Sequence, residues 1–193
     1  MKPRLILASA SPQRARLLEQ LGLRHTAIPA DIDETPRAGE SAEALAERLA
    51  RTKAEALSIA YPEAVIVGSD TVVALEGDNY GKPAGDAEAR TMLTALAGRT
   101  HRVATGVAVF ANARTAARVC VSRVTLRAMS PAEIAAYVAT GEPLGKAGGY
   151  AIQGRGALFV ERLEGSYSAV MGLPLFETGA LLAAAGVDAL EAP

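Results

Sequence analysis

Apolar residues recur along this chain in two rhythms, a helical spacing of three to four and strand-like alternation or short unbroken runs. The run Arg4 to Ala8 predicts a first strand, and Ser11-Pro12 reads as a helix N-cap with a first-turn proline. Leu17, Leu18 and Leu21 mark one face of that helix before Gly22 stops it. His25 to Pro29 makes a short second strand, and Ser41 caps a long helix to about Ile59. In that helix Leu45, Leu49 and Lys53 share one stripe, so Lys53 falls on the face that should meet the core. Either it snorkels, or its ammonium ends in a polar cleft.

The unbroken run Ala64 to Val67 predicts a buried strand ending at Asp70, resumed from Thr71 to Leu75 and followed by the turn EGDNYG. A helix opens near Asp86 and runs to Leu96, where Gly98 ends it. Two longer runs, His101 to Ala111 and Ala117 to Met129, joined by ANARTA, predict an antiparallel hairpin. Ser130-Pro131-Ala132-Glu133 is a capping box opening a helix to about Ala139. Beyond lie the glycine-dense GEPLGKAGGYAIQGRG, a strand Ala157 to Arg162, the turn LEGSYS and a last helix near Pro174 to Ala185. With no internal repeat and no separating linker, the order predicts a single domain over residues 1–193, a mixed α/β sheet flanked by helices.

Composition narrows the function. A formal net charge of −1 argues against the basic footprint of a general nucleic-acid binder. No run approaches the roughly 20 apolar residues needed to cross a bilayer. The single cysteine, Cys120, lies in an alternating apolar stretch and reads as a packed thiol rather than a nucleophile, which suits a reducing cytoplasm. A soluble, cytoplasmic protein with no nucleic-acid or membrane partner is expected. Among the 20 basic residues only Lys2, Lys53, Lys82 and Lys146 are lysine, so a retained lysine marks either chance or a need for a compact ammonium.

Several standard devices are missing: a phosphate-loop lysine signature, a dinucleotide glycine fingerprint, and Cys/His zinc spacing. The two histidines, His25 and His101, each open a strand and are read as surface or structural residues. What remains is a set of carboxylates (Asp33, Glu34, Asp70), amines (Lys53, Lys82, Lys146), Arg14, and small hydroxyl or glycine turns at strand ends. The Ser9-Ala10-Ser11 turn before a helix N-terminus is a plausible anion cradle. Arg14 in that first turn opposes the helix dipole unless it is solvated or has an anion for a partner. The acidic loop ADIDET is either solvated or a site for a hard divalent cation. The inventory suits a polyphosphate: carboxylates hold a magnesium-like cation or take a proton from water, and cations neutralise phosphoryl oxygens. Asp70, placed at a strand end, would sit where open α/β sheets bind ligands.

LILASASPQRARLLEQLGL, DIDETPR, GSDTVV, GKP and KAGGYAIQGRGALFVERLEGSYSAVMGLPLFET together resemble the Maf family of septum-formation-inhibitor proteins, over nearly the whole chain and in collinear order. The resemblance implies a strongly twisted mixed sheet with two lobes around a deep cleft, similar to inosine triphosphate pyrophosphatases of the Maf/HAM1 type. It implies a hydrolase of nucleotide metabolism that converts a nucleoside triphosphate to the monophosphate and pyrophosphate with a divalent metal (Mg, Mn or Co). Asp70 would activate water, Asp33 and Glu34 would help it hold the metal, and Lys53, Lys82 and Arg14 would contact phosphates. Thr71 and Gln153 are similar to the branch acting on dTTP and UTP, including modified pyrimidine forms, whereas Gln13 departs from an arginine often found there. Ser9, Ser11, Gln13, Thr71 and Gln153 are the expected substrate-binding set. Lys146 also matches the family, and Tyr150, Tyr167 and Ser168 are candidates to line the cleft. The alternatives are the sister branch acting on 7-methyl-GTP, or a nucleotide-binding inhibitor of septum formation that works without turnover. The resemblance also allows a homodimer.

Overall fold

The computed structural model describes residues 3–191, so Lys2 lies outside the described residues. Strand β1 (Leu5–Leu7) leads through Ser9-Ala10 to helix α1 (Pro12–Gln20), whose N-cap Ser11 accepts the Arg14 N–H. Strand β2 (Thr26–Ala27) is followed by α2 (Ala42–Ser58), capped by Ser41. Then come β3 (Val65–Leu75), β4 (Asp78–Tyr80), α3 (Asp86–Leu96), β5 (Thr100–Ala111) and β6 (Arg114–Leu126). Helix α4 (Pro131–Val138) opens with the Ser130/Glu133 capping box. Strand β7 (Val160–Glu164), α5 (Tyr167–Met171) and α6 (Leu175–Ala184) complete the chain.

The strands form one mixed sheet in the order β2-β1-β3-β5-β6-β7, with β4 on the same edge of β3 as β1 but further along. Parallel pairing joins β1 to β2 and β3, and the remaining pairs are antiparallel. Leu17 and Leu18 of α1 and Leu181 and Leu182 of α6 pack on one face of the sheet with Val65 and Val67. Ala46, Leu49 and Ala50 of α2 lie on the other, against Ile66, Val72 and Ala104. No described helix is long and apolar enough to cross a membrane.

Long β3 corrects the expectation that a strand ends at Asp70. Its residues Ile66 to Ala74 pair without interruption with β5, which keeps the backbone extended straight through the aspartate. On its other edge β1 pairs only with Val65–Val67 and β4 only with Val73–Leu75. Among the described residues no strand flanks 68–72 on that edge. Asp70 therefore stands in mid-strand, at a gap where two neighbours part.

Other boundaries move for local reasons. The predicted turn EGDNYG contains β4, because a tight Glu76-Gly77 turn with both φ positive returns the chain at once. The β5–β6 connection shrinks from ANARTA to Asn112-Ala113, both at positive φ, so β6 starts earlier than expected. The stretch read as the start of the last strand is 3-10 helix from Arg155 to Phe159, and the turn LEGSYS gives way to α5 at Tyr167.

Candidate active site

Two glycines bring α2 against the sheet. A Cβ on Gly68 would lie 2.2 Å from the Ala50 carbonyl oxygen, and one on Gly106 would lie 2.3 Å from that of Ala46. Gly106 is the β5 partner of Asp70. Bare backbone on both strands lets the helix settle at contact distance and carries Lys53, on its inner face, over Asp70.

Lys53 and Asp70 are 5 % and 6 % exposed. The Lys53 ammonium donates to Asp70 Oδ1 at 2.6 Å and pairs with Glu34 Oε1 at 2.7 Å. Two carboxylates from distant segments thus share one cation. Lys82 stands on the outer side of Glu34, 3.9 Å from its Oε2, and is more than half exposed. Burial pushes Glu34 up, but the Lys53 hydrogen bond and the charges of Lys53, Lys82 and Arg14 outweigh it and hold the carboxyl below its ordinary value.

Arg14 is buried too, 9 % exposed. Its Nε donates to the Gly172 carbonyl at 2.8 Å, Nη1 to Ser9 Oγ at 3.2 Å and Nη2 to Thr71 Oγ1 at 3.4 Å. All three acceptors are neutral. Burial lowers its pKa, while Asp70 and Glu34 act in the opposite direction through space. A buried guanidinium bonded only to neutral oxygens at a helix N-terminus leaves positive potential for an incoming anion. The same turn is tied by the Ser11 N–H to Ser9 Oγ at 3.1 Å.

These groups line a cavity of about 770 Å³ that opens at the gap beside β3. Asp70, Lys53, Lys82, Arg14, Glu34, Ser9, Ser11, Gln13, Thr71 and Gln153 all border it, as do Lys146 and Tyr150. Asp33 does not. It lies outside the lining, its Oδ1 accepting the Thr35 N–H at 2.9 Å, and the Thr35 hydroxyl and then that N–H draw its pKa down. Tyr167 and Ser168 also lie outside the lining, and the Ser168 hydroxyl instead accepts the Leu175 N–H. His101 is a buried structural residue, its Nε2 2.8 Å from the Tyr150 hydroxyl. Burial pushes the Cys120 thiol up, as for a packed rather than reactive sulfur.

Asn79 of β4 and the Gly172 carbonyl were missed in the sequence. Asn79 was hidden in a segment read as turn. A glycine closing a short helix gives no warning that its carbonyl holds an arginine.

Among the described residues no three acidic, imidazole or thiol side chains gather as a ready-made metal site. The cavity offers instead two carboxylates, Asp70 and Glu34, each with one oxygen on Lys53. Hard oxygen donors in that number fit a cation such as magnesium, which is held by one or two carboxylates and completed by phosphate oxygens and water. A cation brought in with a polyphosphate suits these residues; a permanent all-protein cage does not.

The fold and the cavity together define a mixed α/β protein with a polar cleft furnished for a small, multiply charged anion. The profile of the family described as Maf-like protein matches residues 4–185, and the chain belongs to that family. It is similar to a protein of Myxococcus xanthus (strain DK1622) named dTTP/UTP pyrophosphatase, 54% identical over 183 residues that span 95% of this chain and 93% of the relative. A protein of Chromobacterium violaceum with the same name is 47% identical over 190 residues, 96% of each chain. Among solved structures, a HAM1 protein from Coxiella burnetii aligns with 64% of this chain and 73% of its own, with 22% identity and a TM-score of 0.45.

Proposed function

We propose that this chain hydrolyses dTTP and UTP to the nucleoside monophosphate and pyrophosphate. The observation that carries the proposal is Lys53 bridging Asp70 and Glu34 in a cavity faced by Arg14 and Lys82. The names carried by relatives about half identical over nearly their full length supply the substrate class.

Water attacks the α-phosphorus, the bond from water oxygen to phosphorus forms, and the bond from that phosphorus to the α–β bridging oxygen breaks. Asp70 accepts the proton of the attacking water, with Lys53 holding its Oδ1 and so fixing the plane of the carboxylate. Arg14 and Lys82, both in the cavity lining, take the phosphoryl oxygens. Arg14 is pre-aimed by its three hydrogen bonds, whereas Lys82 is free to swing from Glu34 onto the substrate. A divalent cation held by Asp70, Glu34 and the phosphates would neutralise charge on the oxygens around the reacting phosphorus. Gln153, which borders the cavity, would offer one acceptor and two donors to a pyrimidine edge, and Tyr150 and Val103 in the same lining add apolar surface. Ser9, Ser11, Gln13 and Thr71 complete the lining on the Arg14 side.

The test is pyrophosphate release from UTP, dTTP and 7-methyl-GTP, each with magnesium and with a chelator. Faster turnover of UTP and dTTP, lost on chelation, is expected. A preference for 7-methyl-GTP moves the chain to the sister specificity, and no release from any of the three removes the activity.

A further inference from the structure

Gln153 sits in the segment Ala151 to Gly156, which has little regular structure of its own. Its backbone is nevertheless fixed on both sides by one pair of side chains. The Glu142 carboxylate, just beyond α4, accepts the Arg155 N–H at 3.0 Å through Oε2 and the Gly156 N–H at 2.9 Å through Oε1. The Tyr137 hydroxyl donates to the same Oε1 at 2.8 Å and accepts the Ala151 N–H at 3.1 Å. One relay, from the Ala151 amide through the phenol to the carboxylate and on to two further amides, therefore closes around Gln153. Gly154 completes the seat, since a Cβ there would lie 2.5 Å from Glu142 Oε2.

The charge states agree with the direction of these bonds. Burial pushes Glu142 up, but the two backbone N–H groups, the Tyr137 hydroxyl and the charge of Arg155 carry it below its ordinary value. Burial and then Glu142 push the phenol up, so Tyr137 stays a neutral donor. Its ring is itself buried and meets Phe159 edge-on at 5.2 Å. Neither Glu142 nor Tyr137 borders the cavity. Both act on it only through the backbone they hold.

We infer that Glu142, with Tyr137, is the positioning residue for base selection, setting where the Gln153 amide stands in the cavity. The inference rests on the proposed activity and on Gln153 facing the base. Asp70, Lys53, Glu34 and Arg14 come from β3, α2, the acidic loop and α1, whereas the hydrogen bonds of Glu142 run to Tyr137, Thr140, Arg155 and Gly156. Loosening the relay should therefore weaken pyrimidine recognition and leave the hydrolytic groups in place.

The experiment measures kcat and KM for UTP and for CTP, which differ at the pyrimidine edge, in the wild type and in Glu142→Ala, Glu142→Gln and Tyr137→Phe. Glu133→Ala, which removes the acceptor of the α4 capping box, serves as a control for general loss of stability. Glu142→Ala is expected to raise KM for UTP about tenfold to a hundredfold and to shrink the UTP-over-CTP preference, with kcat at saturation retained. Glu142→Gln keeps one acceptor oxygen and should fall between Ala and wild type. If Glu142→Ala does not fold, Glu142→Gln and Tyr137→Phe carry the comparison. Unchanged KM and preference in these variants overturn the inference, as does a Glu133→Ala protein that loses preference to the same degree. A wild type that releases no pyrophosphate from UTP removes the proposed activity, and the inference falls with it.

Discussion

The Lys53 ammonium lies 2.6 Å from Asp70 Oδ1, and the two residues are brought together by a glycine, Gly106, opposite Asp70 in the next strand. Helix, strand and turn chemistry each set part of this contact. The consequences are separable.

Removing the ammonium leaves the buried Asp70 carboxylate beside Glu34 with no cation between them. Lys53→Met is expected to lower unfolding stability by roughly 3 kcal/mol, because breaking a buried pair strands the remaining charge. Adding Asp70→Asn should recover part of that loss. Denaturant midpoints of the two single variants and the double variant check the coupling.

A methyl group at Gly106 meets the Ala46 carbonyl oxygen, which is backbone and cannot turn aside. Gly106→Ala should push α2 off the sheet, costing about 1–3 kcal/mol as overpacked cores do. It should also draw Lys53 away from Asp70, so turnover falls in protein that is still folded. Gly77→Ala meets no atom within 4 Å, and its cost should be confined to backbone strain at φ +99°, with turnover kept.

Arg14 makes three separately directed hydrogen bonds that one ammonium cannot reproduce. Arg14→Lys keeps the charge and should still lower kcat/KM by roughly tenfold to a hundredfold, the equivalent of losing about one charge-assisted bond. A value equal to wild type would mean that charge alone suffices at this wall.

His101 gives the fold a pH dependence of defined sign. Burial pushes it from 6.5 down to about 4, so the folded protein keeps it neutral where the unfolded chain takes up a proton. Stability is therefore full above pH 6.5 and declines as pH falls toward 4, by about 3 kcal/mol in all. Tyr150 faces its ring, and Arg99, Arg102, Arg123 and Glu76 border the cavity beside it. The carboxyls of Glu40 and Glu133, pushed to about 2, lose their contribution only below the ordinary carboxyl value of 4.5. Unfolding measured between pH 5 and 7 should thus flatten in His101→Gln.

Much of the site was legible because its chemistry breaks local rules. Lys53 on an apolar stripe, Arg14 at a helix N-terminus and Asp70 inside a run of valines each conflict with their surroundings, and each borders the cavity. Asp33 adjoins Glu34 in sequence, but only Glu34 borders the cavity. Asp33 instead closes a local turn with Thr35. The continuity of β3 through Asp70 was not legible, since it depends on β5 residues more than thirty positions later. The relay through Glu142 was hidden for a similar reason, because a carboxylate that caps backbone amides leaves no periodic trace. Helix starts at Ser11, Ser41 and Ser130 were readable from single capping residues, whose hydrogen bonds are local.

Asp70→Asn removes the group that takes the proton of the attacking water, with almost no change of shape. The measurement is pyrophosphate release from UTP with magnesium, on variant protein whose unfolding curve shows it folded. A fall in kcat of roughly a hundredfold to ten-thousandfold is expected for the loss of a general base. Turnover at the wild-type rate would exclude Asp70 as the base.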